Sequence, residues 1–324
     1  MKRFVCAVAA ALTLGAATAA HAQAWPTKQV RVVVAYPAGG GVDFVARTVA
    51  QRLSEELKQS VVVDNRVGAS GVVGTDSVIK SDPDGHTILI ASPAEVLVGA
   101  ISGQSAPYDA ARDLAPVMLI GETPLVLVTY PGYPAGALAE AIALAKKEPG
   151  KHAYGSPGNG STMHFAGESL NAQAGIDLLH IPYKGAAPAI NDLLGGQVPM
   201  AIVGMPPVVP HAKAGKLRVL AVTSEKRSST MPDVPAIAEL PGFKGYRFTN
   251  WMGVYVPAKT PPQVIERLAS TLGKIVREPA IRQRLLSQGV EPIGNSTTEF
   301  AAFLDAERAT YGRIARERGI RVEP

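Results

Sequence analysis

Two glycine-rich stretches hold the residues whose types and spacing best suggest chemistry. The first, "YPAGGGVD" at 36–43, joins an apolar run to a helical pattern. The second is "YGSPGNGST" at 154–162. Its Gly155 and Gly160 have the G-x-x-x-x-G spacing of a phosphate loop, but Ser161 stands where that loop needs lysine. Glycines at such turns let backbone N–H groups point outward, and a helix N-terminus adds partial positive charge. Each stretch is therefore a place for an anion. Without the lysine, a di- or triphosphate is undercompensated. Without an acidic residue in the second stretch, magnesium lacks a ligand. The first stretch fails as a dinucleotide fingerprint because Phe44 occupies the third glycine position. A small carboxylate fits better. Donors to a charged acceptor contribute roughly 1.5–3 kcal/mol each, so about four or five offset its desolvation. The plainer reading is that strand-to-helix turns favour glycine and that Ser161 or Thr162 caps a helix.

Catalytic constellations are sparse. The histidines beyond the first segment are His86, His152, His164, His180 and His211, and none has metal-ligand spacing. Ser161 and His164 lie three apart on one predicted helix, which makes a secreted hydrolase the alternative function. No G-x-S-x-G elbow accompanies them; "GASG" at 68–71 is one residue short. His180 sits in an apolar strand and reads as a core residue. Asp43 opens a helix, where a carboxylate suits the dipole, and reads as a cap before a catalytic base. The expectation is no enzyme, no cofactor and no metal.

The elements around these loops alternate. "QVRVVVAYP" (29–37), "SVVVDNR" (60–66) and "HTILIAS" (86–92) read as buried parallel strands. Between the first two, Val45, Val49, Leu53 and Leu57 recur every four residues on one helical face. A second round follows: a strand at 124–131, a helix at 137–150, a strand at 152–156, a helix at 161–175, then strands at 198–204 and 217–224. "YRFTNWMGVYVPA" (246–258) reads as an aromatic strand, and the helices after it read as packing without chemistry. The predicted class is α/β, with parallel sheets covered by helices. Both glycine loops then lie beyond the carboxyl ends of strands, where such sheets bind ligands.

The chain of 324 residues is 47% apolar and 18% charged, which suits a globular protein with a full core. Lys2, Arg3, the apolar run Phe4–Ala20 and the Ala20-His21-Ala22 pattern read as a signal peptide cleaved after Ala22. The sole cysteine, Cys6, lies in that segment, so no disulfide or thiolate chemistry is expected afterwards. Two of the five excess positive charges also lie there, and the remaining basic residues are scattered. Nucleic-acid binding is not expected.

Several motifs in order resemble one family: "YPAGGGVDFVAR", "DGHTILIAS", "YGSPGNGSTMHFAGE", "IPYKGAAPAINDLLGGQVPM" and "LRVLAVTSEKRSSTMPDVPAIAE". They look like the periplasmic solute receptors of tripartite tricarboxylate transporters, the Bug-type receptors, from about Trp25 to the C-terminus. The resemblance implies a two-lobed type II periplasmic binding fold, with a mainly parallel sheet in each lobe. Residues 25–124 begin lobe 1, 125–247 form lobe 2, and 248–324 return to lobe 1. Crossing strands near 121–128 and 248–256 act as the hinge. The implied partners are a membrane permease and a small carboxylate, whether a di- or tricarboxylate, an aromatic acid or an amino acid. The receptor acts as a periplasmic monomer. By resemblance, Gly39, Gly40, Gly41 and Asp43 serve in the first loop, and Ser156, Asn159, Ser161 and Thr162 in the second. Ser92, Tyr183 and Gly204 are further candidates at strand ends; Tyr36, Ala38, Gly160 and His164 complete the expected lining. Val42 departs from the family pattern, which has a small polar residue just before the Asp. The joint expectation is that neutral groups alone, from two facing helix starts, solvate the anion.

Overall fold

The computed structural model describes residues 25–103 and 105–321. The expected signal peptide lies outside them. Among the described residues no helix is long and apolar enough to cross a membrane.

The chain starts with β1 (Val30–Val34), α1 (Gly41–Leu57), β2 (Val61–Asn65), α2 (Val72–Ile79) and β3 (Thr87–Ala91). β1 pairs in parallel with both β2 and β3. β4 (Leu114–Thr129) follows. Next come α3 (Leu138–Lys147), β5 (Ala153–Ser156), α4 (Thr162–Ala174), β6 (Leu179–Pro182) and α5 (Ala186–Leu194). The second round closes with β7 (Met200–Gly204), α6 (Val209–Lys213) and β8 (Arg218–Val222). The chain ends with β9 (Thr249–Pro257), α7 (Pro262–Arg277), α8 (Pro279–Leu286), β10 (Glu291–Pro292) and α9 (Thr297–Arg318).

β4 is far longer than the expected strand at 124–131. Its first part, Leu114–Pro124, pairs antiparallel with β9, through two register shifts. From Leu125 to Thr129 it pairs antiparallel with β7, and from Val126 to Thr129 with β8. One strand thus belongs to two sheets. Pro116, Gly121 and Pro124 hide this continuity in the sequence, because proline and glycine ordinarily break a strand pattern. β9 pairs with β3 and β4 within the first sheet.

Alternation along the strands explains the layering. Val32 and Val34 of β1 face a core built with Val45, Val49 and Leu53 of α1 and Leu268, Leu272 and Ile275 of α7. Val33 faces the opposite side, with Val78 of α2 and Phe300 and Leu304 of α9. In β4, Leu125 and Leu127 join that second core, while Val126 and Val128 pack with Ile190 and Leu193 of α5. Strands covered on both faces read as unbroken apolar runs for this reason. The C-terminal helix spans both rounds. Tyr311 of α9 lies 4.9 Å from the Phe165 ring of α4, and Arg318 Nε donates to Glu168 Oε2 at 2.6 Å.

Candidate functional site

The main cleft, of about 1020 Å³, is lined from both rounds of the fold. Gly39, Gly40 and Gly41 enter from the β1–α1 turn, and Ser161 and Thr162 from the β5–α4 turn. Tyr36, Asp43, Ser92 and Gly204 also line it. The structure thus gathers the starts of two helices from two different sheets around one space. Of the remaining sequence candidates, Ala38, Ser156, Asn159, Gly160, His164 and Tyr183 lie off the cleft wall.

The first turn is built to leave donors free. Gly39 sits at φ +84°, a conformation that glycine adopts without strain. Gly40 is the N-cap residue of α1 and supplies no side-chain cap. The first helical amides therefore have no side-chain acceptor at that position. Asp43 clamps the turn from behind. Its Oδ2 accepts from the Gly39 N–H at 2.9 Å and from Arg47 Nε at 2.9 Å, and its Oδ1 accepts from Asn65 Nδ2 at 2.9 Å. Burial works against its charge, but the bonds from Arg47, Gly39 and Asn65 hold the carboxyl below its ordinary range. Asp43 holds the loop in shape and is not placed as a base.

The second turn uses its hydroxyl differently. Ser161 caps α4: its Oγ accepts from the His164 N–H at 3.2 Å and donates to the Gly158 carbonyl at 2.7 Å. His164 Nδ1 accepts from the Gly160 N–H at 3.1 Å. The Ser161 proton is thus directed to a carbonyl, and the imidazole holds a loop amide, so the serine–histidine pairing of a hydrolase is not formed. Tyr183 donates to Asp192 at 2.9 Å, which ties the strand end to α5.

Beneath this turn the His164 and His180 rings stack, with centroids 3.8 Å apart. Ser156 Oγ lies 2.7 Å from His180 Nε2. Burial, with the neighbouring His164 adding to it, pushes His180 down to about 3. Burial likewise lowers His164. A folded state that refuses a proton which the unfolded chain accepts loses stability as pH falls. The His180 contribution is complete above its ordinary value of 6.5 and is lost progressively as pH drops toward 3. Melting curves of wild type and His180→Gln between pH 8 and 4.5 check this. The difference between the two proteins should shift in favour of the glutamine variant on acidification, and a constant difference contradicts it.

Three features of the site were not visible in the sequence. The first is Glu95, buried behind the wall. It accepts from Tyr36 Oη at 2.7 Å, from Ser92 Oγ at 2.7 Å and from the Ser92 N–H at 2.8 Å. Burial raises its pKa above the usual carboxylate range. Tyr36 Oη and Ser92 Oγ also lie 3.1 Å from each other, so the three side chains form one hydrogen-bonded cluster at the cleft wall. The second is the floor and rim: Thr123 of β4 with Asn250, Trp251 and Met252 of β9. Long-range strand pairing brings these together. The third is a pair of basic side chains on the cleft wall, one of them from a C-terminal helix, beside the neutral groups that the sequence led one to expect. Arg47 of α1 and Arg284 of α8 both line the cleft, with Gln288 just beyond α8. Among the described residues, no three histidine, cysteine, aspartate or glutamate side chains converge as a metal site requires.

A cleft at the strand ends of two sheets joined by a shared strand defines the class of two-lobed periplasmic binding proteins, and the comparisons agree. The model of the tripartite tricarboxylate transporter family receptor matches residues 45–320, and the chain belongs to that family. Protein BugT of Bordetella pertussis is 36% identical over 312 residues, covering 96% of this chain and 95% of that protein. A solved structure of R. palustris Rpa4515 with adipate shares 34% identity and a TM-score of 0.77, over 92% of this chain and 99% of that one. MatC of Rhodopseudomonas palustris with bound malate shares 25% identity and a TM-score of 0.71, over 90% and 99%.

Proposed function

We propose that the protein is a periplasmic receptor that captures a small organic carboxylate between its two lobes and delivers it to a membrane permease of the tripartite type. One observation carries the reading: the starts of α1 and α4, from different sheets, line the same cleft. Their amides favour an anion through hydrogen bonds and through the helix dipoles. The lobe boundary falls where β4 changes partners, between Pro124 and Leu125. Adipate and malate on related folds support a carboxylate as the ligand class. A solute touching both lobes stabilises the closed form, and the permease reads that form. The site residues in this proposal are the first-turn amides of both helices and the cleft-lining side chains, with Asp43, Ser161 and His164 shaping the loops.

A thermal-shift and calorimetry panel of mono-, di- and tricarboxylates, aromatic acids and amino acids tests it. A ligand at about 100 times its Kd adds ~2.7 kcal/mol to stability, a readily measured rise in Tm. At least one acid should give that rise and be recovered unchanged. A product that forms in wild type and disappears in Ser161→Ala instead supports the hydrolase and overturns the receptor.

A further inference from the structure

The strands that join the two sheets carry a second cavity on their reverse face. Neighbouring residues on a strand point to opposite sides. Thr123 of β4 and its partner Asn250 of β9 line the main cleft, whereas Glu122, one residue earlier, lines a separate cavity of about 680 Å³. One wall of that cavity is residues 224–228, which follow β8 in the second round of the fold. The facing wall holds Glu291 of β10, with Ile293 and Asn295 just beyond it.

One carboxylate ties the two walls together. Glu291 Oε1 accepts from Ser228 Oγ at 3.0 Å, from the Ser229 N–H at 2.8 Å and from Ser229 Oγ at 2.7 Å. Each side of this contact is fixed to its own sheet. β10 pairs with the first part of β4, Glu291 opposite Glu122 and Pro292 opposite Gly121. A Cβ on Gly121 would stand 2.6 Å from the Glu291 carbonyl oxygen, so β10 can lie this close only over glycine. On the other side, Arg227 Nε and Nη2 donate to Glu239 at 2.9 and 2.8 Å, and Val222 of β8 bridges to Ala236. The serines belong to the stretch "LRVLAVTSEKRSSTMPDVPAIAE", no residue of which lines the main cleft.

We infer that Glu291 and the Ser228–Ser229 turn form a latch behind the hinge, which holds the lobes apart and is released as they close. The inference rests on the receptor reading and adds the regulation of its affinity. A rotation about β4 and β9 that narrows the cleft widens the reverse face, so contacts made there are lost on closure. With the latch made, the cleft measures about 1020 Å³, at the upper end for ligand clefts and more than a small acid fills. Apparent affinity scales with the fraction of free protein already in the binding-competent form. Breaking the latch therefore tightens binding without touching the cleft.

Glu291→Ala and Ser229→Ala test this. Glu291 is half-buried and Ser229 exposed, so neither change opens a core. Cys6 is the sole cysteine, and it lies in the expected signal peptide. Val67→Cys and Lys184→Cys can therefore carry a nitroxide pair, just beyond the outermost strands β2 and β6. Label-to-label distances in the ligand-free protein, read by electron–electron double resonance, should shorten in Glu291→Ala. They should shorten less in Ser229→Ala, which keeps the N–H donor. Calorimetry with adipate and malate as probes should show roughly 10-fold tighter binding in Glu291→Ala than in wild type. Unchanged or longer distances overturn the inference, as does equal or weaker affinity for an acid that wild type binds. Should Glu291→Ala not fold, Ser229→Ala decides. If neither acid binds wild type, the distances alone decide, and the carboxylate panel judges the receptor reading separately.

Discussion

Gly40→Val is expected to weaken carboxylate binding by more than about 100-fold while leaving Tm within about 2 °C of wild type. The separation of the two effects comes from the local geometry. A Cβ on Gly40 meets only the Pro37 carbonyl oxygen, at an ordinary 3.4 Å, and the backbone there is extended, at φ −76° and ψ 169°. Nothing in the fold requires glycine at this position. The adjacent Gly39 is a poorer choice, because its φ of +84° makes any side chain costly to the fold itself. A valine at position 40 projects into the space that a carboxylate must enter to reach the first-turn amides. Losing about two charge-assisted bonds, at roughly 1.5–3 kcal/mol each, gives the stated factor. Gly204 offers an independent check, since a Cβ there meets nothing within 4 Å and the residue also lines the cleft. Calorimetry and a melting curve on each variant decide the matter. Undiminished affinity in Gly40→Val means that the anion does not approach this turn.

The two glycine loops were legible in the sequence because their physics is local. A glycine that must adopt positive φ, an aspartate in a first turn and a serine that caps a helix each act on partners within four residues of themselves. The layered α/β fold was legible for the same reason, since Val32–Val34 and the i, i+4 series of α1 encode burial directly. Other parts of the site depend on long-range contacts. Trp251 and Met252 reach the cleft through the pairing of β9 with β4, across more than a hundred residues. No motif or spacing marks Glu95 in the sequence, and only the fold places it behind Tyr36 and Ser92. Arg284 lies on a helix that reads as simple packing, and no spacing rule connects it to the cleft. The sequence offers Ser161 as a helix cap, but its proton's direction toward Gly158 depends on the exact turn. The sequence therefore spoke more clearly about the backbone donors than about the side chains that select among anions.

The largest loss of stability is expected from Arg247→Met. Arg247, just before β9, is paired with Glu122 of β4, and its Nη1 lies 3.5 Å from Glu307 Oε1 of α9. Thr249 Oγ1 also donates to Glu122, at 2.9 Å, and Trp251 Nε1 donates to Glu307 Oε2 at 2.9 Å. The three charged side chains are mostly buried, with 19%, 13% and 8% exposure for Arg247, Glu122 and Glu307. A buried pair contributes little net stability, but removing one member leaves an uncompensated charge and costs about 3–5 kcal/mol. Here one guanidinium serves two carboxylates, so the upper part of that range applies, and Tm should fall by roughly 5–15 °C. The loss should depend on pH. Burial pushes Glu307 up to about 7, against the pull of Arg247 and Trp251. A carboxyl that holds its proton more tightly when folded adds stability below its unfolded value of 4.5 and loses that contribution as pH rises through 7. Without Arg247, Glu307 favours protonation still more, so the deficit of the variant should shrink between pH 7.5 and 5. Adding Glu307→Gln should recover part of the loss at neutral pH. A Tm within 2 °C of wild type at pH 7.5 refutes this account of the network. Because Trp251 forms part of the cleft wall and Glu307 holds its indole N–H, the same network sets the shape of the cavity beside the strand that the two sheets share.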